Sequence, residues 1–319
     1  MEKKRDRVSP STIRSRLVLE VASELVGRRS FQTNQARISL REQGPGAWKL
    51  NFFGSDAPDA IEDIRCREAD VAIINPAAPL TLAYRGTGPF KEPVPVRAIA
   101  VIPSSDMFVL AVCESTGLVS LSDIRERRFP LRVSLRGQKN HSLHLIVDQI
   151  LSEAGFSLDD IVAWGGQVRY DPGMPGRDRI NSVERGEVDA IFDESLGSWG
   201  NRALDLGMRF LSFGEPILQR LEVMGFRRAT ITKASHPKLS ADIETLDFSG
   251  WPIFTHAEVP DSLVTSFCEA LEARKESIPW QGEGPLPLEH MCRDSEDGPL
   301  DVPLHPAAES FWRARGYLT

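Results

Sequence analysis

The amino-acid sequence predicts an α/β fold made of two lobes with a ligand cleft between them. Apolar runs of strand length alternate with segments of helical period along most of the chain, a pattern typical of α/β proteins. The length of 319 residues suits two domains, and a hydrophobic content of 41% is sufficient for sizeable cores. A third observation is an internal repetition, in which a helix end, an acidic turn and a buried strand follow one another twice.

The repetition compares Arg67–Asn75 with Gly186–Asp193. Each copy ends its apolar strand on a polar residue, and in open α/β sheets ligands bind at the carboxyl ends of the strands. Two copies far apart in the sequence therefore indicate two lobes that each present a strand end. An ordinary helix-to-strand turn that arises twice would give the same pattern.

The individual elements follow from periodicity. The predicted strands are short apolar runs, namely Val71–Ile74, Ala98–Ile102, Phe108–Val112, Leu131–Leu135, Ala190–Phe192 and Met208–Leu211. The predicted helices are Thr12–Val26, Ala57–Arg67, His141–Ala154, Ile180–Arg185, Asp261–Arg274 and Pro306–Arg315. We expect residues 1–109 and 206–319 to form lobe one and residues 110–205 to form lobe two. The connecting strands are expected near Ile102–Met107 and Leu204–Leu211.

Composition excludes several classes of protein. A net charge of −7 disfavours a nucleic-acid partner, because the chain has no general positive field for phosphate backbones. The four cysteines have neither CxxC nor zinc-finger spacing, so reduced and mostly buried thiols are expected. No P-loop, GxGxxG, HExxH or GxSxG motif is present, and no cofactor is predicted.

The first apolar segment bears on location. Leu17–Val26 carries Glu20 and Glu24 at helical spacing, which predicts an amphipathic helix of a folded domain rather than a secretory signal. No stretch reaches the roughly 20 apolar residues that cross a bilayer. The chain as written is therefore expected to be cytoplasmic and not embedded in a membrane.

The segment most suggestive of binding runs from a short strand through a basic loop into a helix. The helix that follows the loop points free amides and partial positive charge outwards, and an arginine grips carboxylates with two hydrogen bonds. The candidate ligand-binding residues of this segment are Arg136, Gln138, Lys139, Asn140, His141 and Ser142. A capped helix with two solvated cations would show the same sequence.

Three other features are candidates for chemistry. Asp193 and Glu194 close the repeated strand, and one of them would face the cleft because neighbouring strand residues point to opposite faces. His141, His144 and Asp148 share a helix face, but no fourth ligand is apparent and no metal site is predicted. The Gly/Pro-rich loop 164–176 is either functional or a surface excursion.

Several stretches, taken in order, resemble the TAXI family of solute-binding subunits of TRAP transporters, which have the type II periplasmic-binding-protein fold. The similar stretches are Glu68–Ile74 with Ala83–Phe90, Val96–Pro103, Gly117–Ile124, the segment from Arg132 to Ser142, and Pro303–Ala308 with Arg315–Tyr317. The chain departs from the family in two places. It has no Gly-Thr-Gly-Gly-type loop before the first helix, and its ligand loop is far more basic than the usual glycine-serine version.

The resemblance implies a protein that closes over a small organic anion bearing a carboxylate, with a TRAP-type membrane permease as its partner. The candidate ligand-binding residues of lobe one are Ser55 and Asn75. They are expected to face the basic loop of lobe two, together with Asp193 or Glu194. Two alternatives remain open at this stage. One is a cytoplasmic enzyme on the same scaffold, similar to aromatic-acid decarboxylases, and the other is a ligand-dependent sensor.

Overall fold

The computed structural model describes residues 10–28, 35–42, 48–172 and 178–319. Within them the chain forms a mixed α/β protein with two β-sheets. The strands are β1 (Gln35–Arg41), β2 (Lys49–Ser55), β3 (Val71–Ile73), β4 (Val96–Ile102), β5 (Met107–Cys113), β6 (Arg132–Arg136), β7 (Gln167–Asp171), β8 (Ala190–Asp193), β9 (Met208–Phe210), β10 (Arg228–Ile231), β11 (Ile243–Asp247) and β12 (Trp251–His256). The helices are α1 (Pro10–Arg28), α2 (Asp59–Arg65), α3 (Ala78–Arg85), α4 (Leu121–Glu126), α5 (Ser142–Ala154), α6 (Leu158–Ala163), α7 (Asp178–Glu184), α8 (Leu196–Asp205), α9 (Glu215–Met224), α10 (Asp261–Arg274), α11 (Leu288–Met291) and α12 (Pro306–Ala314).

The strands divide between the sheets according to their place in the chain. The first sheet has the order β1-β2-β3-β12-β4, and the second has the order β10-β11-β5-β8-β6-β7, with β9 also paired to β5. Each sheet is covered by its own helices and has its own buried core, for example Ile99 against Trp312 in the first and Val133 against Ile146 in the second. The predicted two-lobed α/β fold class is confirmed.

The repeated units lie in different sheets. One contributes β3 to the first sheet and the other contributes β8 to the second. The turn before each strand contains a left-handed residue, Arg67 at φ 63° and Gly186 at φ 68°. The two units are thus equivalent pieces of local structure.

Two crossover segments connect the lobes. The first joins β4 to β5 at residues 103–106, as predicted, and the second joins β11 to β12 at residues 248–250. They run side by side, since the Phe248 amide donates to the Asp106 carbonyl at 2.9 Å and the Gly250 amide to the Ser104 carbonyl at 2.9 Å. This pairing makes a two-stranded connection between the sheets.

The predicted second crossover at Leu204–Leu211 is wrong, and with it the predicted division of the chain at residue 206. That segment contains the end of α8 and strand β9, which pairs antiparallel with β5 inside the second sheet. Strands β10 and β11 follow it into the same sheet. By sheet membership the second lobe therefore extends from β5 to β11, because three further strands pair before the chain returns to the first sheet.

The first helix forms as predicted but does not bury its apolar side. Ile13, Leu17, Val21 and Leu25 of α1 are all exposed. Among the described residues, every helix is too short or too polar to cross a membrane.

Candidate functional site

The candidate site lies at the carboxyl ends of β6 and β8 in the second sheet. These strands are adjacent and parallel, with Val133 paired to Ala190 and Ser134 to Ile191. Parallel pairing brings the last residues of both strands, Arg136 and Asp193, to the same edge of the sheet. The structure thus brings together residues that are 57 positions apart in the chain.

The turn from β6 into α5 is tight, and Gly137 makes it sterically feasible. Its amide donates to the Asp171 carbonyl at 2.7 Å. A Cβ atom at residue 137 would lie 2.9 Å from that carbonyl oxygen, closer than real Cβ atoms are found. The next turn ends at His141, whose Nδ1 accepts a hydrogen bond from the Leu143 amide at 3.1 Å and so caps α5.

A cluster of two arginines and two carboxylates is buried at this edge. Arg136 Nη2 donates to Asp193 Oδ1 at 3.0 Å and to Glu194 Oε1. Asp193 is fully buried, and its Oδ2 accepts from Arg179 Nη1. The two positive and two negative side chains balance, which is how buried charges are normally accommodated.

Arg179 is a site residue that the sequence analysis missed. It follows the undescribed residues 173–177, lies in α7 and is 1% exposed. Its Nε donates to Ser134 Oγ at 2.9 Å, and its Nη2 donates to the Ser134 carbonyl at 2.9 Å. Nothing local in the sequence distinguishes Arg179 from the chain's other arginines. The one available signal was Asp193, because an aspartate buried at a strand end requires a positively charged partner.

His141 is packed between the cluster and the second crossover. Its ring is 2% exposed and stacks on Phe248, with 6.3 Å between ring centroids and 4° between ring planes. Burial, reinforced by the nearby Arg136 charge, lowers the pKa of His141 to about 2, so the ring is neutral at physiological pH.

Two hydrogen-bond donors meet His141, although a neutral imidazole has only one acceptor nitrogen. Nδ1 accepts from the Leu143 amide, so Nε2 carries the ring proton. Arg136 Nη1, which can only donate, lies 2.9 Å from that Nε2. Arg136 Nε is also buried and has no hydrogen-bond partner among the described residues. The surroundings of Arg136 thus contain more donors than acceptors.

The start of α5 also touches the first lobe. The Ser142 amide and the Ser142 hydroxyl donate to the Asp56 carbonyl at 3.0 and 2.9 Å. Gln138 Nε2 donates to Asp56 Oδ1 at 2.6 Å. Burial raises the pKa of Asp56 above its ordinary value, although the Gln138 hydrogen bond opposes this. Asp56 was not predicted, but it immediately follows the predicted Ser55.

The other predicted residues have surroundings of their own. Ser55 is buried and turned towards its own loop, where its hydroxyl donates to Asp59 Oδ1 at 3.1 Å. Asn75 follows β3 and is half-buried, with a cis bond to Pro76. Lys139 and Asn140 are exposed, and the Lys139 ammonium lies 5.3 Å from the centre of the Tyr170 ring. Within the described part of the chain, none of these four side chains forms a hydrogen bond or an ion pair with the arginine–carboxylate cluster.

On the helix face with two histidines, one imidazole contacts the backbone. His144 Nε2 contacts the Gln138 carbonyl at 3.0 Å, while Asp148 is exposed. In the described ranges, no group of three or more His, Cys, Asp or Glu side chains is arranged to hold a metal. The Gly/Pro-rich loop 164–176 is described only to residue 172, so its predicted role lies partly outside the described residues.

The first crossover contacts the cluster through α8. Both carboxylate oxygens of Asp106 accept from the Ser195 amide, at 3.0 and 2.9 Å. Ser195 has a left-handed backbone at φ 58°, which costs a non-glycine residue about 1 kcal/mol or more. Its hydroxyl donates to Glu194 Oε2. Burial raises the pKa of Asp106 to about 6.

Comparison with known proteins gives remote structural likenesses. No protein-family model matches the chain. The alkanesulfonate-binding protein SsuA from Xanthomonas axonopodis pv. citri, bound to MOPS, is 14% identical; the match covers 68% of this chain and 80% of that one, with a TM-score of 0.31. The glycine betaine/L-proline-binding protein ProX from Borrelia burgdorferi is 9% identical over 65% of this chain and 64% of its own, with a TM-score of 0.36.

The GluR0 ligand-binding core in complex with L-glutamate is 10% identical; the match covers 80% of this chain and 83% of that one, with a TM-score of 0.32. Identities and scores this low assign neither a family nor a ligand to the chain. Membership of the TAXI family remains a prediction.

Proposed function

We propose that the protein is a solute-binding protein that binds a small organic acid between its two lobes and closes over it. The observation that carries this proposal is the excess of hydrogen-bond donors around Arg136. Its Nε has no partner among the described residues, and its Nη1 faces the protonated Nε2 of His141 at 2.9 Å. Buried donors without acceptors are costly, so the site favours a ligand that supplies acceptor oxygens.

A carboxylate has the chemistry that this site lacks. It only accepts hydrogen bonds, and one of its oxygens could take bonds from Arg136 Nη1 and His141 Nε2 together. The buried cluster is electrically balanced, so the attraction would come from directed hydrogen bonds more than from net charge. Lys139 adds a positive charge at the exposed rim of the same loop.

Closure of the lobes fits the way in which they are connected. Two paired crossovers connect the sheets, and the start of α5 in the second lobe lies within hydrogen-bond distance of the first lobe. A ligand that touches both lobes would stabilise the closed arrangement by its additional contacts. By the sequence resemblance, the proposed partner is a TRAP-type permease that receives the closed form.

The geometry favours binding over acid–base catalysis by His141. A general acid must be protonated near the working pH, but the pKa of His141 is lowered to about 2 and both ring nitrogens are in contact with other groups. Formation of a product from a bound acid would support the enzyme alternative instead. Ligand-dependent capture of a partner by the purified protein would support the sensor alternative.

The test is a thermal-shift screen of the purified protein against organic acids, followed by calorimetry with any acid that stabilises it. A ligand at one hundred times its dissociation constant adds about 2.7 kcal/mol of stability. Arg136→Ala should weaken binding by about tenfold or more, because hydrogen bonds to charged groups contribute roughly 1.5–3 kcal/mol. Arg136→Lys keeps the charge beside Asp193 but lacks Nε, and it should also bind more weakly.

The matched control is Arg132→Ala. Arg132 begins the same strand, but it is paired with Asp189 at 2.6 and 2.9 Å at the opposite end. This variant should bind as tightly as the parent. Equal affinity of the parent and of folded Arg136 variants for the same acid would contradict the proposed site.

A further inference from the structure

Asp56 makes an unusual contact with the second lobe. It lies in the turn between β2 and α2 of the first lobe, yet its acceptors are bound by the loop and helix start of the second. Gln138 Nε2 donates to its carboxylate at 2.6 Å, and Ser142 donates twice to its carbonyl. An acidic residue of one lobe therefore occupies the positive end of α5, a 13-residue helix of the other lobe.

The donors that Asp56 occupies belong to the candidate ligand site. Gln138 lies in the loop between β6 and α5, and Ser142 is the first residue of α5. Arg136 ends β6 and His141 caps α5, so all four residues belong to one segment. The Arg136 charge is also near enough to favour the charged form of the Asp56 carboxyl.

We propose that Asp56 is an internal latch that competes with the ligand. It holds the donors of Gln138 and Ser142 while the ligand is absent, and a ligand carboxylate must displace it. The contact between Asp56 and the second lobe does not depend on the proposed function. The competition with a ligand rests on the proposed function.

The contact is suited to displacement because it is costly for Asp56 to remain charged there. Burial raises the pKa of this carboxyl, and the nearby Asp59 charge raises it further, whereas Gln138 and Arg136 lower it. The raised pKa means that the contact favours the protonated form over the charged form more than water does. A carboxylate that is not tied to the first lobe could take its place.

The first measurement needs no ligand. Hydrogen exchange of the Ser142 amide reports on the latch, since that amide donates to the Asp56 carbonyl at 3.0 Å. Asp56→Ala and Gln138→Ala each remove the 2.6 Å hydrogen bond and should speed this exchange by about tenfold, the low end for a hydrogen bond to a charged group. Glu62→Ala is the control, because Glu62 is exposed on α2 and pairs with Arg65 of the same helix. It should leave the exchange unchanged.

The second measurement uses acetate, the smallest carboxylate, with binding followed by the amide chemical shifts of residues 138–143. A latch that lowers the population of the binding-competent state weakens apparent affinity by the same factor. Asp56→Ala should therefore bind acetate about tenfold more tightly than the parent, while Glu62→Ala should match the parent.

The outcomes separate the two proposals. Weaker acetate binding by Asp56→Ala would make Asp56 part of the ligand site and would overturn the latch. If Asp56→Ala has the parent's affinity for acetate and the parent's rate of Ser142 exchange, the latch is also overturned. Acetate binding by the parent would in that case still support the proposed function. Faster Ser142 exchange without tighter acetate binding by Asp56→Ala would show a contact that does not compete with a ligand and would overturn the latch. If no variant binds acetate at all, the result would also count against the proposed function.

Discussion

Replacement of Arg179 by methionine is expected to destabilise the protein by about 3–5 kcal/mol, the cost of removing one partner from a buried ion pair. Arg179 is 1% exposed and Asp193 is fully buried. The variant loses the ion pair and both hydrogen bonds to Ser134, which are 2.9 Å long. Three hydrogen bonds to a charged group at roughly 1.5 kcal/mol each give about the same total, before the methionine side chain recovers some apolar contact.

The assay is equilibrium unfolding in urea, followed by circular dichroism and by tryptophan fluorescence to detect any intermediate. Arg185→Met is the matched control, because Arg185 lies just beyond the same helix, is exposed, and pairs with the half-exposed Glu187. An exposed pair contributes about 1 kcal/mol at most. A loss below about 1 kcal/mol in Arg179→Met would refute the view that Asp193 depends on this arginine.

A double variant tests the cause of the loss. In Arg179→Met with Asp193→Asn, the carboxylate left behind is removed together with its partner. Because the penalty comes mainly from an uncompensated buried charge, the double variant should be more stable than Arg179→Met alone. Additive losses from the two substitutions would show that the charge is not the cause.

Two further predictions concern pH and backbone space. Burial raises the pKa of Asp247 to about 6, so its protonated form is favoured in the folded state, and the stability it contributes is lost as pH rises from about 4 through 6. The free energy of unfolding is measured in urea between pH 4 and 8. As the pH rises, Asp247→Asn should become more stable relative to the parent, by at most about 3 kcal/mol. A difference in stability that does not change with pH would contradict the raised pKa of Asp247. The second of these predictions concerns Gly137. In Gly137→Ala the new Cβ would lie 2.9 Å from the Asp171 carbonyl oxygen, so the basic loop must shift. Ligand binding measured by calorimetry should therefore be weaker. Gly197→Ala meets no atom within 4 Å in α8 and should stabilise by about 0.5–1 kcal/mol; equal effects of the two substitutions on binding would refute this reasoning.

Elements with a clear period were predictable from sequence. The six predicted helices and six predicted strands all occur, and α10 has the predicted bounds. Strand β12 was missed although it lies inside the first sheet, between β3 and β4, because Pro252 interrupts the strand pattern. The sheet accommodates the proline with a register shift between Ile253 and Phe254. This return strand is what places the second crossover, so missing β12 led to the wrong crossover and the wrong lobe boundary.

The site was predictable where its residues are neighbours in sequence. Arg136, Gln138, His141 and Ser142 lie on one strand, loop and helix start, and local reasoning identified them together. Arg179 and Asp56 reach the site from 45 and 82 residues away, from Ser134 and Gln138 respectively. No periodicity carries information about such contacts, because they depend on how strands and lobes are arranged in three dimensions.

The same arrangement links the crossovers to the candidate ligand site. In the first crossover, Asp106 holds the Ser195 amide, and the Ser195 hydroxyl in turn donates to Glu194, which binds Arg136. In the second crossover, Phe248 stacks on the ring of His141. His141 therefore contacts the second crossover directly, whereas Arg136 is linked to the first crossover through Glu194 and Ser195. A rotation of the lobes about these segments would move Glu194 and Phe248 relative to each other, and with them the 2.9 Å contact between Arg136 and His141. An oxygen bound between these two groups would favour one rotation over others, which is the differential contact that ligand-driven closure requires.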